Sequence, residues 1–304
     1  MPNKNNTKNN KDITKKKEPK LKDVIYELKR IDELSEKIVA KRKRPLLLMY
    51  YSEDRCGSIS DIDLEYLEEI LKGVGKIKDL DVIMHTMGGS VSASYFLARI
   101  IRSRCYNMNF IVPAHAYSGG TMISLSANKI IMSVTSKLSP IDIQFGKKPL
   151  INFDKYLSFI NDTTDSFKLK DEKNKTEIIA RMLVELSKRF DPLDIGEIFR
   201  LRLLHEMYAK NLLLDYMLRN DAYKEANATE IVKNLTSGSP SHEFDIDRNL
   251  AQKFGLIIER MEPQLHKLSE ELIEICRQAE RKGVVCPLTP NDIRMPYLKF
   301  FTMR

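Results

Sequence analysis

Between residues 45 and 133, short apolar runs of strand length alternate with stretches of helical periodicity. Pro45–Tyr51 (PLLLMYY) and Leu80–His85 (LDVIMH) read as strands buried on both faces. Phe110–Pro113 and Lys129–Ser133 read as two more. Asp61–Val74, with Ile62, Leu64, Leu67, Ile70 and Leu71, and Ser90–Arg104, with Tyr95, Phe96, Ile100 and Ile101, carry helical spacing. Gly120–Ala127 reads as a short helix of small residues. Strands separated by helices join through right-handed crossovers, so the expected fold class is α/β with a mainly parallel sheet.

Helical sequence flanks this core. Residues 21–40 space Leu21, Val24, Ile25, Leu28, Ile31, Leu34 and Ile38 along one stripe, and Lys41–Arg44 suit a helix C-terminus. Residues 168–235 read as almost wholly helical, with a break at Asp191-Pro192. A loop follows at Thr236–Ser241 (TSGSPS), then a short helix ending near Gly255 and another over Met261–Lys282. The final stretch, with Pro287, Pro290 and Pro296, reads as irregular.

With 304 residues, 42% hydrophobic and 30% charged, the chain is long enough for a sizeable core and has an ordinary globular composition. No run approaches the roughly 18 apolar residues of a membrane span, and no apolar signal-peptide core opens the chain. A cytoplasmic protein without a membrane span is expected. Cys56, Cys105, Cys276 and Cys286 form no CxxC pair, so they indicate neither a disulfide framework nor a zinc site; no metal or cofactor is expected. The formal net charge is +8, and residues 1–20 carry seven Lys against Asp12 and Glu18. This segment has almost no apolar side chains and reads as a disordered basic tail. A solvated tail is favoured over a nucleic-acid tether, because no aromatics interleave for base stacking.

Two glycine pairs follow apolar strands and open helices: His85-Thr86-Met87-Gly88-Gly89-Ser90 and His115-Ala116-Tyr117-Ser118-Gly119-Gly120-Thr121. Neither fits the dinucleotide or Walker phosphate pattern. Ser118 falls where strand gives way to helix. Its hydroxyl is either an exposed nucleophile or a plain N-cap. The N–H of Gly119 and one from Gly88-Gly89 would form an oxyanion hole.

The blocks HTMGGSVSASYFLARII, VPAHAYSGGTMISLSANKIIM, SKLSPIDIQFG and LTSGSPSHEFDIDRNLAQKFGL resemble the serine dehydrogenase proteinase family, ClpP-class serine peptidases of the ClpP/crotonase superfamily. The Ser-Gly-Gly block is also similar to that of signal peptide peptidase SppA. The resemblance implies a ClpP/crotonase-like spiral of βαβ units over residues 45–258. Around it would lie the tail at 1–20, a helix at 21–44 and a helical or irregular extension at 259–304. It further implies Ser118 as nucleophile, Gly88, Gly89 and Gly119 at the oxyanion hole, and His242 and Asp142 as its triad partners. Two departures stand out: Met87 replaces the usual Pro, and Glu243-Phe244-Asp245 follows His242 where the family reads Asp-Tyr-Pro.

His242 is the first choice of base. His85 and His115, at strand ends, either orient substrate or pack at the sheet edge, and packing is favoured. His205 reads as structural, and His266 is remote. A Ser/Lys dyad with Lys137, Lys147, Lys148, Lys168 or Lys170 is the rival arrangement. The expected protein is a serine peptidase-like hydrolase acting on peptide or protein substrates through an acyl-enzyme. The strand after the Ser118 helix would offer an edge for extended peptide. A homo-oligomer is expected, with 168–235 and 21–40 as candidate interfaces. Rival readings are an inactive scaffold of the same fold, crotonase-type acyl-CoA chemistry, and nucleic-acid binding by the tail.

Overall fold

The computed structural model describes residues 20–53, 57–141, 144–145, 148–149, 172–188, 192–236, 244–286 and 297–302. The chain opens with α1 (Leu21–Arg42), β1 (Leu46–Tyr50), α2 (Ile62–Ile70), β2 (Ile77–His85) and α3 (Val91–Ser103). It continues through β3 (Cys105–Val112), β4 (His115–Ala116), α4 (Gly119–Ser124), β5 (Lys129–Met132) and β6 (Lys137–Leu138). The two-residue strands β7 (Gln144–Phe145) and β8 (Lys148–Pro149) precede α5 (Glu172–Ser187) and α6 (Pro192–Leu212). A π-helical turn (Leu213–Met217), α7 (Lys224–Leu235), α8 (Arg248–Lys253), β9 (Ile258–Arg260), α9 (Pro263–Arg281) and β10 (Tyr297–Phe301) complete it.

Six strands form the main sheet in the order β10-β1-β2-β3-β5-β9. All neighbours are parallel except β10, which runs antiparallel to β1 from Leu46↔Phe301 to Tyr50↔Tyr297. This is the mainly parallel α/β arrangement that the alternation predicts. Both faces are covered, as a parallel sheet requires. Leu47, Met49, Val82 and Met84 point to one face, where they pack with Leu97 and Ile101 of α3, Met122 of α4 and Leu212 of α6. Leu46, Leu48, Tyr50 and Ile83 point to the other, covered by Ile31, Leu34 and Ile38 of α1 and Leu272, Ile273 and Cys276 of α9. The stripe on α1 is thus used within the chain, although Leu21, Ile25 and Tyr26 stay exposed at its start.

The basic run after α1 is also used internally. Arg42 Nε donates to Asp81 Oδ2 at 2.7 Å, and Arg44 pairs with Asp79 at 2.9 Å and with Asp81 at 2.6 Å. Asp81 is buried and also accepts from Asn109 Nδ2. Charge pairing thus ties the α1–β1 junction to β2, and the Asn109 amide extends the contact to β3.

Several expectations need revision. Strand β3 begins at Cys105, five residues before the apolar run, because its ladder with β2 is made by backbone groups and tolerates the polar Tyr106, Asn107 and Asn109. The region 297–301, expected to be irregular, is the edge strand β10, whose signal the upstream prolines obscured. Strand β5 presents no edge, since β3 and β9 flank it on both sides. The long helical region is divided, with a π-helical turn at Leu213–Met217. No disulfide links Cys105, Cys276 or Cys286, and Cys56 lies outside the described residues. Among the described residues, no helix is long and apolar enough to cross a membrane. Most of the basic tail (residues 1–19) lies outside them.

Candidate active site

Parallel strands end together, and the turns beyond β2 and β4 meet. Thr86 and Ala116 pair in parallel, with the Tyr117 N–H donating to the Thr86 carbonyl at 3.1 Å. On the other side of the Gly88-Gly89 turn, the Ile59 N–H donates to the Gly88 carbonyl and the Ser90 N–H to the Ile59 carbonyl, both at 2.8 Å. The turn is therefore held between two extended segments.

Ser118 stands at the junction of β4 and α4 with φ 47° and ψ −103°, a backbone conformation that a residue with a side chain adopts only under constraint. Its hydroxyl does not cap α4, so the N-cap reading does not describe it. The constraint comes from three sides. The Ser118 N–H donates to Ser139 Oγ at 2.7 Å, its carbonyl accepts from the Met122 N–H at 2.9 Å, and Ser139 N–H donates in turn to Thr121 Oγ1 at 3.2 Å. Ser118 keeps 9% of its surface accessible.

Only glycine fits the facing turn. Gly88 has φ 106°, and a Cβ there would lie 2.8 Å from Ser118 Cβ and 2.9 Å from the Tyr117 carbonyl oxygen. A Cβ on Gly119 would lie 2.3 Å from Ser94 Oγ and 3.4 Å from the Gly89 nitrogen. Gly88 thus faces Ser118, and Gly119, next to Ser118 in the chain, approaches the Gly89 nitrogen. Their N–H groups differ, however. That of Gly88 donates to Thr86 Oγ1 at 2.9 Å, whereas those of Gly89 and Gly119 have no acceptor among the described residues. Two neighbouring N–H groups without acceptors, close to Ser118, can donate hydrogen bonds to a developing negative charge.

Asp142 and His242 lie outside the described residues. The segments leading to them are close in space. Leu138 and Ile246 exchange backbone hydrogen bonds of 3.0 and 2.9 Å. Leu138 stands four residues before Asp142, and Ile246 four after His242. Of the lysines weighed as a base, Lys137 is held in an ion pair with Asp245 at 2.5 Å, and Asp245 also accepts from the Tyr117 hydroxyl at 2.7 Å. Lys147, Lys168 and Lys170 lie outside the described residues. No described base bonds to the Ser118 hydroxyl.

His85 and His115 are packed, as favoured above, but against each other and in polar company. Their ring centroids are 4.1 Å apart, and Tyr50 stacks on His85 and Tyr117 on His115. His85 Nε2 lies 2.9 Å from Glu53 Oε1, which also accepts from Arg277 at 2.8 Å. Burial lowers the pKa of His85 and pushes that of His115 down to about 4. Hydrogen bonding to His85, with help from Arg277, holds the Glu53 carboxyl well below the usual range. Glu53 and Arg277 carry no signal in the sequence, and Ser139, though it lies in the SKLSPIDIQFG block, is not marked there as a partner of Ser118.

A parallel sheet whose strand ends deliver a constrained serine and facing backbone N–H groups defines an α/β protein of serine-peptidase type. Residues 17–182 match the model of the ClpP-like SDH-type serine proteinases, and the chain belongs to that family. The matched span holds Ser118, the three glycines and Asp142, and it ends before His242. The chain is 29% identical over 278 residues to the uncharacterized protein MJ0137 of Methanocaldococcus jannaschii, covering 89% of this chain and 85% of that one. It is 27% identical over 206 residues to the uncharacterized protein MJ1495 of the same organism, covering 67% of this chain and 61% of that one. Among solved structures it is similar to a mutant form of the 1510-N membrane-bound stomatin-specific protease (TM-score 0.36, 15% identity, 69% of this chain and 79% of that one). A monofunctional enoyl CoA isomerase from M. smegmatis gives a TM-score of 0.38 at 14% identity, over 79% of this chain and 82% of that one.

Proposed function

We propose that the protein is a serine peptidase that cleaves peptide bonds through an acyl-enzyme on Ser118. The observation that carries this reading is the constrained, uncapped Ser118 beside the unpaired N–H groups of Gly89 and Gly119. In this mechanism Ser118 Oγ attacks the scissile carbonyl carbon and its proton passes to His242, which Asp142 orients. The tetrahedral oxyanion accepts hydrogen bonds from Gly89 and Gly119, each such donor contributing about 3–4 kcal/mol to the transition state. Collapse expels the amine, protonated by the same imidazole. Water, deprotonated by His242, then releases the acyl group. The roles of His242 and Asp142 rest on the resemblance, and the Leu138–Ile246 pairing supports them by drawing their flanking segments together.

A fluorophosphonate probe followed by peptide mapping tests the assignment. Label on Ser118 that disappears in Ser118→Ala is expected, and His242→Ala should slow labelling at least a hundredfold. A folded wild-type protein that takes no label overturns the peptidase reading. It would favour the scaffold reading, which the departures at Met87 and Glu243 motivate. Self-association belongs to the same proposal. Phe199, Leu203 and Met207 stand exposed at helical spacing along α6, and light scattering reads the assembly directly.

A further inference from the structure

We infer that Glu53, His85 and His115 form a binding site for one divalent transition-metal ion of the zinc class. One ligand atom from each residue lies within 4.8 Å of the others. Two imidazoles and a carboxylate are a ligand set that zinc accepts, with a fourth position left open. Bonds of about 2.0–2.1 Å to a tetrahedral ion place ligand atoms roughly 3.4 Å apart. Glu53 Oε1 lies 2.9 Å from His85 Nε2, so turning the half-exposed carboxylate to present Oε2, with an adjustment of His115, completes the set.

A second observation points the same way. His115 Nε2 is buried and has no hydrogen-bond partner among the described residues. A buried polar nitrogen is nearly always satisfied, and a bound cation would satisfy this one without a protein partner. Burial favours the neutral form of both imidazoles, the form that ligates. Tyr50 and Tyr117 stack on the two rings and fix their planes. Arg277 engages one oxygen of Glu53 and leaves the other available, as an outer partner to a ligating carboxylate does.

The site is separate from the proposed nucleophile. Within β2, His85 follows the alternation of Ile83, so it faces the α1–α9 layer and not α4. Nothing in the peptidase mechanism uses these three side chains. Yet His85 stands three residues before Gly88, and His115 three before Ser118. The ion therefore ties together the two strand ends that carry the oxyanion glycines and the serine.

The test uses the full-length protein after treatment with chelator. Zinc is titrated calorimetrically, and cobalt is followed by its tetrahedral visible absorption. One ion per chain is expected, with zinc raising the thermal midpoint. Glu53→Gln and His115→Ala should each weaken binding at least tenfold, while Ser118→Ala should bind like wild type. Absence of saturable binding near one equivalent overturns the inference. So does undiminished affinity in both ligand variants, which would place the ion elsewhere. Should His115→Ala fail to fold, Glu53→Gln decides, because its side chain is half-exposed and its shape is conserved.

Discussion

At Ser118 the backbone is held where an ordinary residue would pay on the order of 1–3 kcal/mol. Ser139 is one of the groups that hold it there. Ser139→Ala leaves the buried Ser118 N–H without its acceptor, a loss of about 1–3 kcal/mol. Denaturant unfolding should show the loss, and probe labelling of Ser118 should slow. Labelling at the wild-type rate would remove Ser139 from the positioning of the nucleophile. Gly88→Ala is harsher, because its Cβ would meet Ser118 Cβ at 2.8 Å in a left-handed conformation. Labelling should be abolished even in molecules that remain folded. A third residue sets a pH dependence. Burial raises the Asp63 carboxyl from 3.8 to about 6. Between those values the folded state keeps a proton that the unfolded chain has released, so stability falls as pH rises through the window. The gap corresponds to about 3 kcal/mol above pH 6. Asp63→Asn can still accept from the Ser60 N–H, which now donates to Asp63 at 2.8 Å. Urea titrations should find the variant about 2–3 kcal/mol more stable than wild type at pH 7.5 and no more stable at pH 4. The turns at Ser118 and at the glycine pairs were legible because each motif is contiguous. Ser139, twenty-one residues from Ser118, was not, since only folding makes it the acceptor of the Ser118 N–H.

Among the elements, periodicity located the helices and the buried strands well, because each answers to the side chains of its own segment. It failed where backbone pairing governs. Strand β10 is the clearest case: five residues after a proline-rich stretch cover the open side of β1 with an antiparallel ladder. Deleting residues 297–304 uncovers the edge of a strand whose residues are all buried. An exposed apolar edge of this kind templates association. The truncated protein should lose solubility and sediment as aggregate, whereas a truncation that stays soluble with an unchanged melting profile would show that β10 is dispensable. Helices α1 and α9 make a similar point. Each shows a clear stripe by itself, but nothing in either stripe names the other as its neighbour.

Over the whole molecule, the two ends of the chain close on the same sheet face. Ile31, Leu34 and Ile38 near the start share one core layer with Leu272, Ile273 and Cys276 near the end, and Lys299 of β10 pairs with Asp32 of α1 at 2.6 Å. Such shared burial couples them, so α1 and α9 should open as one unit in native-state hydrogen exchange. Protection lost from α1 at a lower denaturant concentration than from α9 would contradict this. The local code of the chain was enough for its α/β class and for the strand-to-helix turns at Ser118 and the glycine pairs, because hydrophobic period and glycine spacing act within a few residues. The pairing of α1 with α9, the edge strand, the choice of Gly89 and Gly119 as open donors, and the meeting of Glu53, His85 and His115 came only with the tertiary fold. Those three ligands stand about thirty residues apart in sequence, and no local pattern links them; they become neighbours because parallel strands end at the same side of a sheet.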